Sequence, residues 1–311
     1  MRRELRLPAD ASGRLDRALA DALGAGRAAV KRAFQLGDVR VEGRRARASD
    51  PAVPGAQVAI ELEEPAGPPA PEPDAPLVVL REHPRLLVVD KPAGVAVHPL
   101  AAGERGTLAG AVLARYPECA AASPDPREGG AVQRLDLETS GCMVFARDRA
   151  AWEEVHAALG AHRVEKVYLA LVLGRVAAGG VVSVPLAQRG GRVVPAPDAL
   201  AEARLAAKGA APRPAETRYE VERAFARFTL LRVRIATGVM HQIRAHLAYL
   251  GHPVACDGRY GGEAAAHAIE GLGRHFLHAW KIGLDAPGGG PRVETESPLP
   301  GQLEDVLATL V

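Results

Sequence analysis

Apolar and polar residues alternate along this chain with two different periods, and the switches between them mark the elements. Leu15, Ala18, Leu19 and Leu23 recur at helical spacing, glycines at 24 and 26 interrupt them, and Ala29, Val30, Ala33 and Phe34 resume the pattern. Two short helices joined by a tight turn are predicted. VRVEG and QVAIEL then alternate with period two, as the arms of a hairpin do. Residues 63 to 76, EEPAGPPAPEPDAP, hold six prolines. Proline fixes φ and removes a backbone donor, so this stretch is expected to be an extended, semi-rigid linker. Beyond it, LLVVDKPAGVAVHP reads as a strand and a turn. CMVFARD reads as a buried strand whose Asp148 caps a helix with the stripe Trp152, Val155 and Leu159. KVYLALVLG, TRYEVER and FTLLRVRI read as strands. HQIRAHLAYLGHP reads as a helix closed by Gly251 and Pro253, with Ile243, Leu247 and Leu250 as its core stripe. Many strands with helices between them predict an α+β fold: a large, mostly antiparallel mixed sheet with flanking helices, preceded by a small helix-pair-plus-hairpin domain. The expected divisions are 13–62, the linker 63–76, and 77–311.

Composition changes this picture little, and charge changes it more. The 311 residues suit one large and one small domain. No run approaches the roughly 18 apolar residues of a membrane helix, and the start, MRRELRLPADASGRLDRAL, lacks the apolar core of a signal peptide. A cytoplasmic chain with no membrane partner is expected. Cys119, Cys142 and Cys256 lie far apart with no C-x-x-C spacing, so buried reduced thiols are expected. The net charge of +2 hides an uneven distribution: residues 27 to 47 hold seven basic side chains against Asp38 and Glu42, whereas the linker has four acids and no base. A local excess of one sign is what phosphate binding requires.

Candidate chemistry centres on QRLDLETSG, residues 133 to 141. Asp136 lies between Leu135 and Leu137, and a carboxylate on an apolar stretch must find a partner or be neutralised. In an extended segment its neighbour Arg134 points to the other side. The partner must come from elsewhere, and the HQIRAH helix offers one. His241 and Arg244, three apart, share a face beside the small Ala245 and Ala248. His241 and His246, five apart, do not, which argues against a zinc pair. Ser140 lacks the G-x-S-x-G elbow, and RGGRVVP lacks the lysine and spacing of a phosphate loop. On the residues alone, other readings stay open: Asp136 as a turn carboxylate, Arg244 as a surface arginine, Tyr168 as ordinary sheet packing.

Two resemblances narrow these alternatives. GRLDRALADALGAGRAAVKRAFQLGDVRVEGRRA, with VPGAQVAIEL after it, resembles the small RNA-binding domain of the ribosomal small-subunit protein four type, although that family's Ser-Arg pair reads Gly26-Arg27 here. LLVVDKPAGVAVHP, QRLDLETSGCMVFARD, EKVYLALVLG and TGVMHQIRAHLAYLGHPVACDGRYG occur in the order and approximate spacing of the four segments of the RluA-type pseudouridine synthases, over about residues 77 to 311. Gln133 stands where that family has histidine, and Val239 and Met240 where it has arginine and threonine.

The resemblance implies the pseudouridine synthase fold and the isomerisation of uridine to pseudouridine in RNA, with ribosomal large-subunit RNA as the expected partner. It implies no cofactor, no metal and a monomer. Asp136 resembles the catalytic aspartate, acting as nucleophile or by assisting proton removal from the ribose to form a glycal, Arg244 its paired arginine, and Tyr168 the tyrosine that stacks on the target base and could help remove its proton at carbon 5. Arg134 resembles the arginine that fills the space of the flipped nucleotide. His241 and Gln242, with Arg27, Lys31, Arg32, Arg44 and Arg45 of the small domain, are expected to contact RNA. Three alternatives stand beside this reading: a non-catalytic RNA-binding or ribosome-assembly factor on the same fold, a synthase acting on transfer RNA, and a hydrolase using Asp136 with His241 as base. The last lacks an oxyanion or metal motif.

Overall fold

Gly24 and Gly37, at φ 57° and 86°, end two helices in the left-handed conformation that glycine adopts without a Cβ penalty. These are α1 (Leu15–Leu23) and α2 (Arg27–Leu36), which close a core of Leu15, Leu19, Val30 and Ala33 over Val58 and Ile60. The computed structural model describes residues 2–62, 67–101 and 103–311. The side chains of Arg27 and Ala28 also lie outside what it describes, as do residues 63–66 of the expected linker. Beneath the helix pair lie β1 (Arg2–Arg6), β2 (Val39–Val41), β3 (Arg44–Arg45) and β4 (Gln57–Glu61), in the order β1-β4-β2-β3. The expected pairing of VRVEG with QVAIEL is present as β2 against β4. The first strand is an addition: RRELR has one apolar residue, Leu5, opposite Val58, too few for a readable alternation.

The chain divides into two compact units, Met1–Gly67 with Leu100–Glu104, and Pro68–Pro99 with Arg105–Val311. The second half of the proline run therefore belongs to the larger unit. There the Glu72 carboxylate accepts hydrogen bonds from the backbone of Gly106 (2.9 Å) at the entry to α3 (Leu108–Arg115), which Thr107 caps by accepting from Gly110.

The larger unit is built on a nine-stranded sheet. Along the chain come β5 (Val78–His83), β6 (Leu86–Lys91), β7 (Ser140–Ala146), α4 (Arg149–Gly160), β8 (Glu165–Leu173) and β9 (Gly180–Val182). A two-stranded side hairpin follows, β10 (Leu186–Arg189) with β11 (Arg192–Pro195), and then α5 (Ala199–Ala207). The chain closes with β12 (Thr217–Ala224), β13 (Phe228–Ile235), α6 (Gln242–Tyr249), α7 (Gly258–Ala266), β14 (Leu277–Leu284), β15 (Val293–Glu296) and α8 (Gly301–Thr309). The order is β5-β6-β7-β14-β8-β13-β12-β9, with β15 paired to β14. Every pairing in it is antiparallel except β7 with β14. The predicted fold class, a mostly antiparallel mixed sheet with flanking helices, is the one observed.

The local signals act as expected in α4: Asp148 accepts from Ala151 N, and Val155 is buried with Trp152 and Leu159 packed against the same core. The stripe of α6 ends one residue early. Ile243 and Leu247 are buried, but the helix stops at Tyr249 and leaves Leu250 36% exposed. Cys119 and Cys142 are buried free thiols, and Cys256 is half-buried. Among the described residues no helix is long and apolar enough to cross a membrane.

Candidate active site

Asp136 sits on a turn held from below. Its carbonyl accepts from Thr139 N (3.0 Å), and Gly94 N donates to Leu137 O (2.9 Å). The fully enclosed Lys91, the last residue of β6, donates to the carbonyls of Pro92, Leu137 and Thr139 at 2.8–2.9 Å. Burial pulls its ammonium down to about 8. Thr139 Oγ1 meets His275 Nε2, and Ser140 Oγ meets His278 Nδ1, both at 2.9 Å. Arg274 also donates to Ser140 Oγ (3.0 Å). Gly141 then enters β7 at φ 115°, where a Cβ would collide with the Ala279 backbone of the parallel partner β14. The Thr-Ser-Gly turn is thus the point where the loop meets the central strand.

Arg244 reaches Asp136 from the first turn of α6. Its Nη1 donates to Asp136 Oδ2 at 2.8 Å. The rest of its guanidinium is committed to Asp257, with Nε to Oδ2 at 2.7 Å and Nη2 to Oδ1 at 2.9 Å. The Arg244 side chain is 8% exposed, Asp257 1% and Asp136 20%, so Asp136 is the most open of the three. It is therefore partly open rather than deeply buried. Burial works against the charge on Arg244, but Asp257 and then Asp136 outweigh it and hold the guanidinium above its ordinary value. Burial opposes ionisation of Asp257 as well, and Arg244 nevertheless holds that carboxyl below the usual range.

The other expected residues divide. His241 takes a left-handed backbone at φ 54° ahead of α6 and sets Nε2 3.8 Å from Asp136 Oδ1. Its Nδ1 meets the Tyr260 hydroxyl at 2.8 Å. Tyr168, on β8, is 9% exposed in a cluster with Val233, Ile243 and Leu277. Burial, with the Asp136 charge added, pushes its phenol up. Arg134 is exposed. Gln242 is a correction: it is buried, its Nε2 donating to Glu216 O and Thr217 Oγ1 and its Oε1 accepting from Thr237 Oγ1 and Val239 N, so no part of it is left for RNA. Val239 and Met240 pack against Leu186, Val193 and Tyr260, which makes the altered pair part of an apolar contact with the side hairpin. Gln133 Oε1 is buried without a hydrogen-bond partner among the described residues. In the smaller unit Lys31, Arg32, Arg44 and Arg45 are exposed, and Arg27 falls outside the described side chains. No group of three His, Cys, Asp or Glu that would hold a metal occurs among the described residues.

Asp257 and Tyr260 were not singled out by sequence reasoning. The available signal was an aspartate heading the Gly-Arg-Tyr start of α7, where it accepts from Arg259 N and Tyr260 N as a helix cap.

A paired carboxylate beside a buried tyrosine at the centre of such a sheet has relatives. Residues 85–249, just over half the chain, match the family model described as RNA pseudouridylate synthase. The chain belongs to the RNA pseudouridylate synthase family. This synthase is 37% identical to an uncharacterized RNA pseudouridine synthase of Chloroflexus aurantiacus, over 97% of this chain and 92% of that protein. It is 34% identical to ribosomal large subunit pseudouridine synthase D of Pseudomonas aeruginosa, over 85% and 81%, and 34% identical to ribosomal large subunit pseudouridine synthase C of Salmonella typhi, over 98% and 95%. In fold, the synthase resembles human RNA pseudouridylate synthase domain containing 1, with a TM-score of 0.56 and 24% identity over 72% of this chain and 84% of that one.

Proposed function

We propose that this synthase converts uridine to pseudouridine in large-subunit ribosomal RNA, with Asp136 as the catalytic nucleophile. The observation that carries the assignment is the 2.8 Å contact between Asp136 Oδ2 and Arg244, which leaves Oδ1 without a hydrogen bond among the described residues. The names of the Pseudomonas and Salmonella relatives support the ribosomal substrate.

In the reaction the bond between N1 and the ribose is broken, the uracil turns, and carbon 5 bonds to the same ribose carbon with loss of its proton. A base stacked within RNA cannot meet a side chain, so the nucleotide must be extruded at a cost of a few kcal/mol. Arg134, exposed beside Asp136, fills the vacated space. Arg244 stabilises the charge on Asp136, and Tyr168 offers the released base an apolar ring. No redox change or group donor is involved, so no cofactor is called for.

The smaller unit binds RNA backbone in the manner of the ribosomal small-subunit protein four type. A cleft of about 580 Å³ there is lined by Lys31, Arg45 and Arg47 with Phe34, cations beside one aromatic face. Such a surface suits phosphate and an unstacked base.

Tritium release from RNA labelled at carbon 5 of uridine tests the assignment. Asp136→Asn is expected to abolish release while RNA binding persists. Loss of binding in step with release would assign Asp136 to folding instead.

A further inference from the structure

Arg244 presents a two-toothed fork, the usual grip on a carboxylate, to Asp257 and only a single N–H to Asp136. The arrangement is inverted for a simple ion pair, because the stronger, two-point grip goes to the residue enclosed deeper in the fold. Asp257 also accepts from the backbone of Arg259 and Tyr260 and so fixes the start of α7. From that turn the Tyr260 hydroxyl meets two groups, Val193 N of β11 at 3.0 Å and His241 Nδ1 at 2.8 Å. Its oxygen must accept from Val193, whose N–H can only donate. Its own proton then has one acceptor among the described residues, His241 Nδ1. An imidazole that accepts at Nδ1 carries its proton on Nε2, the atom 3.8 Å from Asp136 Oδ1.

We propose that the Asp257-to-Tyr260 turn is a positioning device that sets both groups flanking Asp136: Asp257 limits Arg244 to one N–H on Oδ2, and Tyr260 holds His241 as the Nε2–H tautomer facing Oδ1. The proposal rests on the assignment of Asp136 made above. At 3.8 Å the His241 donor lies beyond hydrogen-bond range and does not occupy Oδ1. The oxygen stays open to substrate with a donor directed at its edge, ready for charge that leaves the carboxylate when it bonds to the nucleotide. Burial keeps the imidazole below its ordinary value, consistent with a neutral ring. His241 also has a left-handed backbone, uncommon for a residue with a side chain. Asp257 and Tyr260 touch no reacting atom and act through Arg244 and His241.

Nitrogen-detected NMR of the full chain with labelled histidine, assigned by loss of the signal in His241→Gln, reads the tautomer directly. His241 is expected to carry its proton on Nε2, and in Tyr260→Phe the two tautomers are expected to mix. The same variant should lower turnover about fivefold, the size of one neutral hydrogen bond, with RNA affinity unchanged. Asp257→Asn should lower turnover about 100-fold, as expected when a reacting group is misplaced by an ångström, again at unchanged affinity. If thermal unfolding shows that Asp257→Asn does not fold, Tyr260→Phe decides alone. A proton found on Nδ1 in the wild type, or a Tyr260→Phe variant with unaltered tautomer and turnover, overturns the proposal. The tautomer is read without turnover, so activity surviving in Asp136→Asn would sink the assignment of Asp136 and leave the His241 result standing.

Discussion

The two units of the chain use charge in opposite ways. In the smaller one, Lys31, Arg44 and Arg45 stand exposed along a helix and a hairpin, where water screens them and they act at long range on any polyanion. In the larger one, Arg244 is 8% exposed and spends its guanidinium on two named carboxylates. The first kind of charge attracts a polyanion without specifying where its atoms sit, and the second fixes atoms without reaching far. On the function proposed above, a synthase needs each kind, one to find a nucleotide and one to act on it.

Removing a charge of each kind should therefore produce different failures. After the abolition expected of Asp136→Asn, the next largest effect is expected from Arg244→Ala: turnover falls about 100- to 1000-fold with the loss of a preorganised charge beside Asp136. Stability should fall by about 3 kcal/mol, because Asp257 is left buried and unpaired. Single-turnover kinetics and urea titration measure the two losses. Turnover reduced without any loss of stability would mean that Asp257 finds another partner. The triple change Lys31→Ala, Arg44→Ala and Arg45→Ala should weaken RNA binding about tenfold or more while sparing the maximal rate. The log-log salt slope of binding should decrease by about three, one for each phosphate contact. An unchanged slope would show that these side chains never meet phosphate.

A smaller effect concerns acid. His246, His275 and His278 are enclosed, and burial lowers all three below their ordinary value, His275 to about 3 with the charge of Arg244 adding to burial. Between that value and the unfolded value near 6.5, the unfolded chain holds a proton at His275 that the folded chain refuses, so folding is favoured by rising pH. The contribution is complete above about 6.5 and is lost as pH falls toward 3, with a slope of at most about 1.4 kcal/mol per pH unit for each histidine. Urea midpoints at pH 7 and pH 5 measure it, and His275→Gln should flatten part of the slope. Smallest is Gln133→Leu, expected to change stability by less than about 0.5 kcal/mol, because its Oε1 already lacks a partner. A loss well above that would assign Gln133 to holding the loop.

Local chemistry was the legible part of this molecule. The cap at Asp148, the apolar run around Tyr168 and Gly24 at the end of α1 each act within a few residues, and sequence carries such signals directly. The residues alone offered Arg244 as one candidate partner for Asp136, and only the family resemblance chose it, since 108 residues separate them. Where neither kind of signal existed, the reading fell short. Lys91 looks like any lysine before a proline, yet it is fully enclosed by the carbonyls it serves. Gln242 looks like a polar helix start, yet its Nε2 is taken by Glu216 and Thr217 and its Oε1 by Thr237 and Val239. In each case at least two partners lie more than 20 residues away, where no periodicity points.

The single parallel pairing, β7 with β14, sets an order of events for a growing chain. The strand beginning at Leu277 lies between β7 and β8, so until it arrives both have an unfilled edge and the turn carrying Asp136 lacks its contacts with His275 and His278. Pairing of such long sequence separation forms late. During synthesis the last piece of the smaller unit, Leu100–Glu104, has been made well over 100 residues before the strand from Leu277 that the Asp136 turn waits for. The surroundings of Asp136 are thus completed only when a strand made long after its own loop has taken its place between β7 and β8.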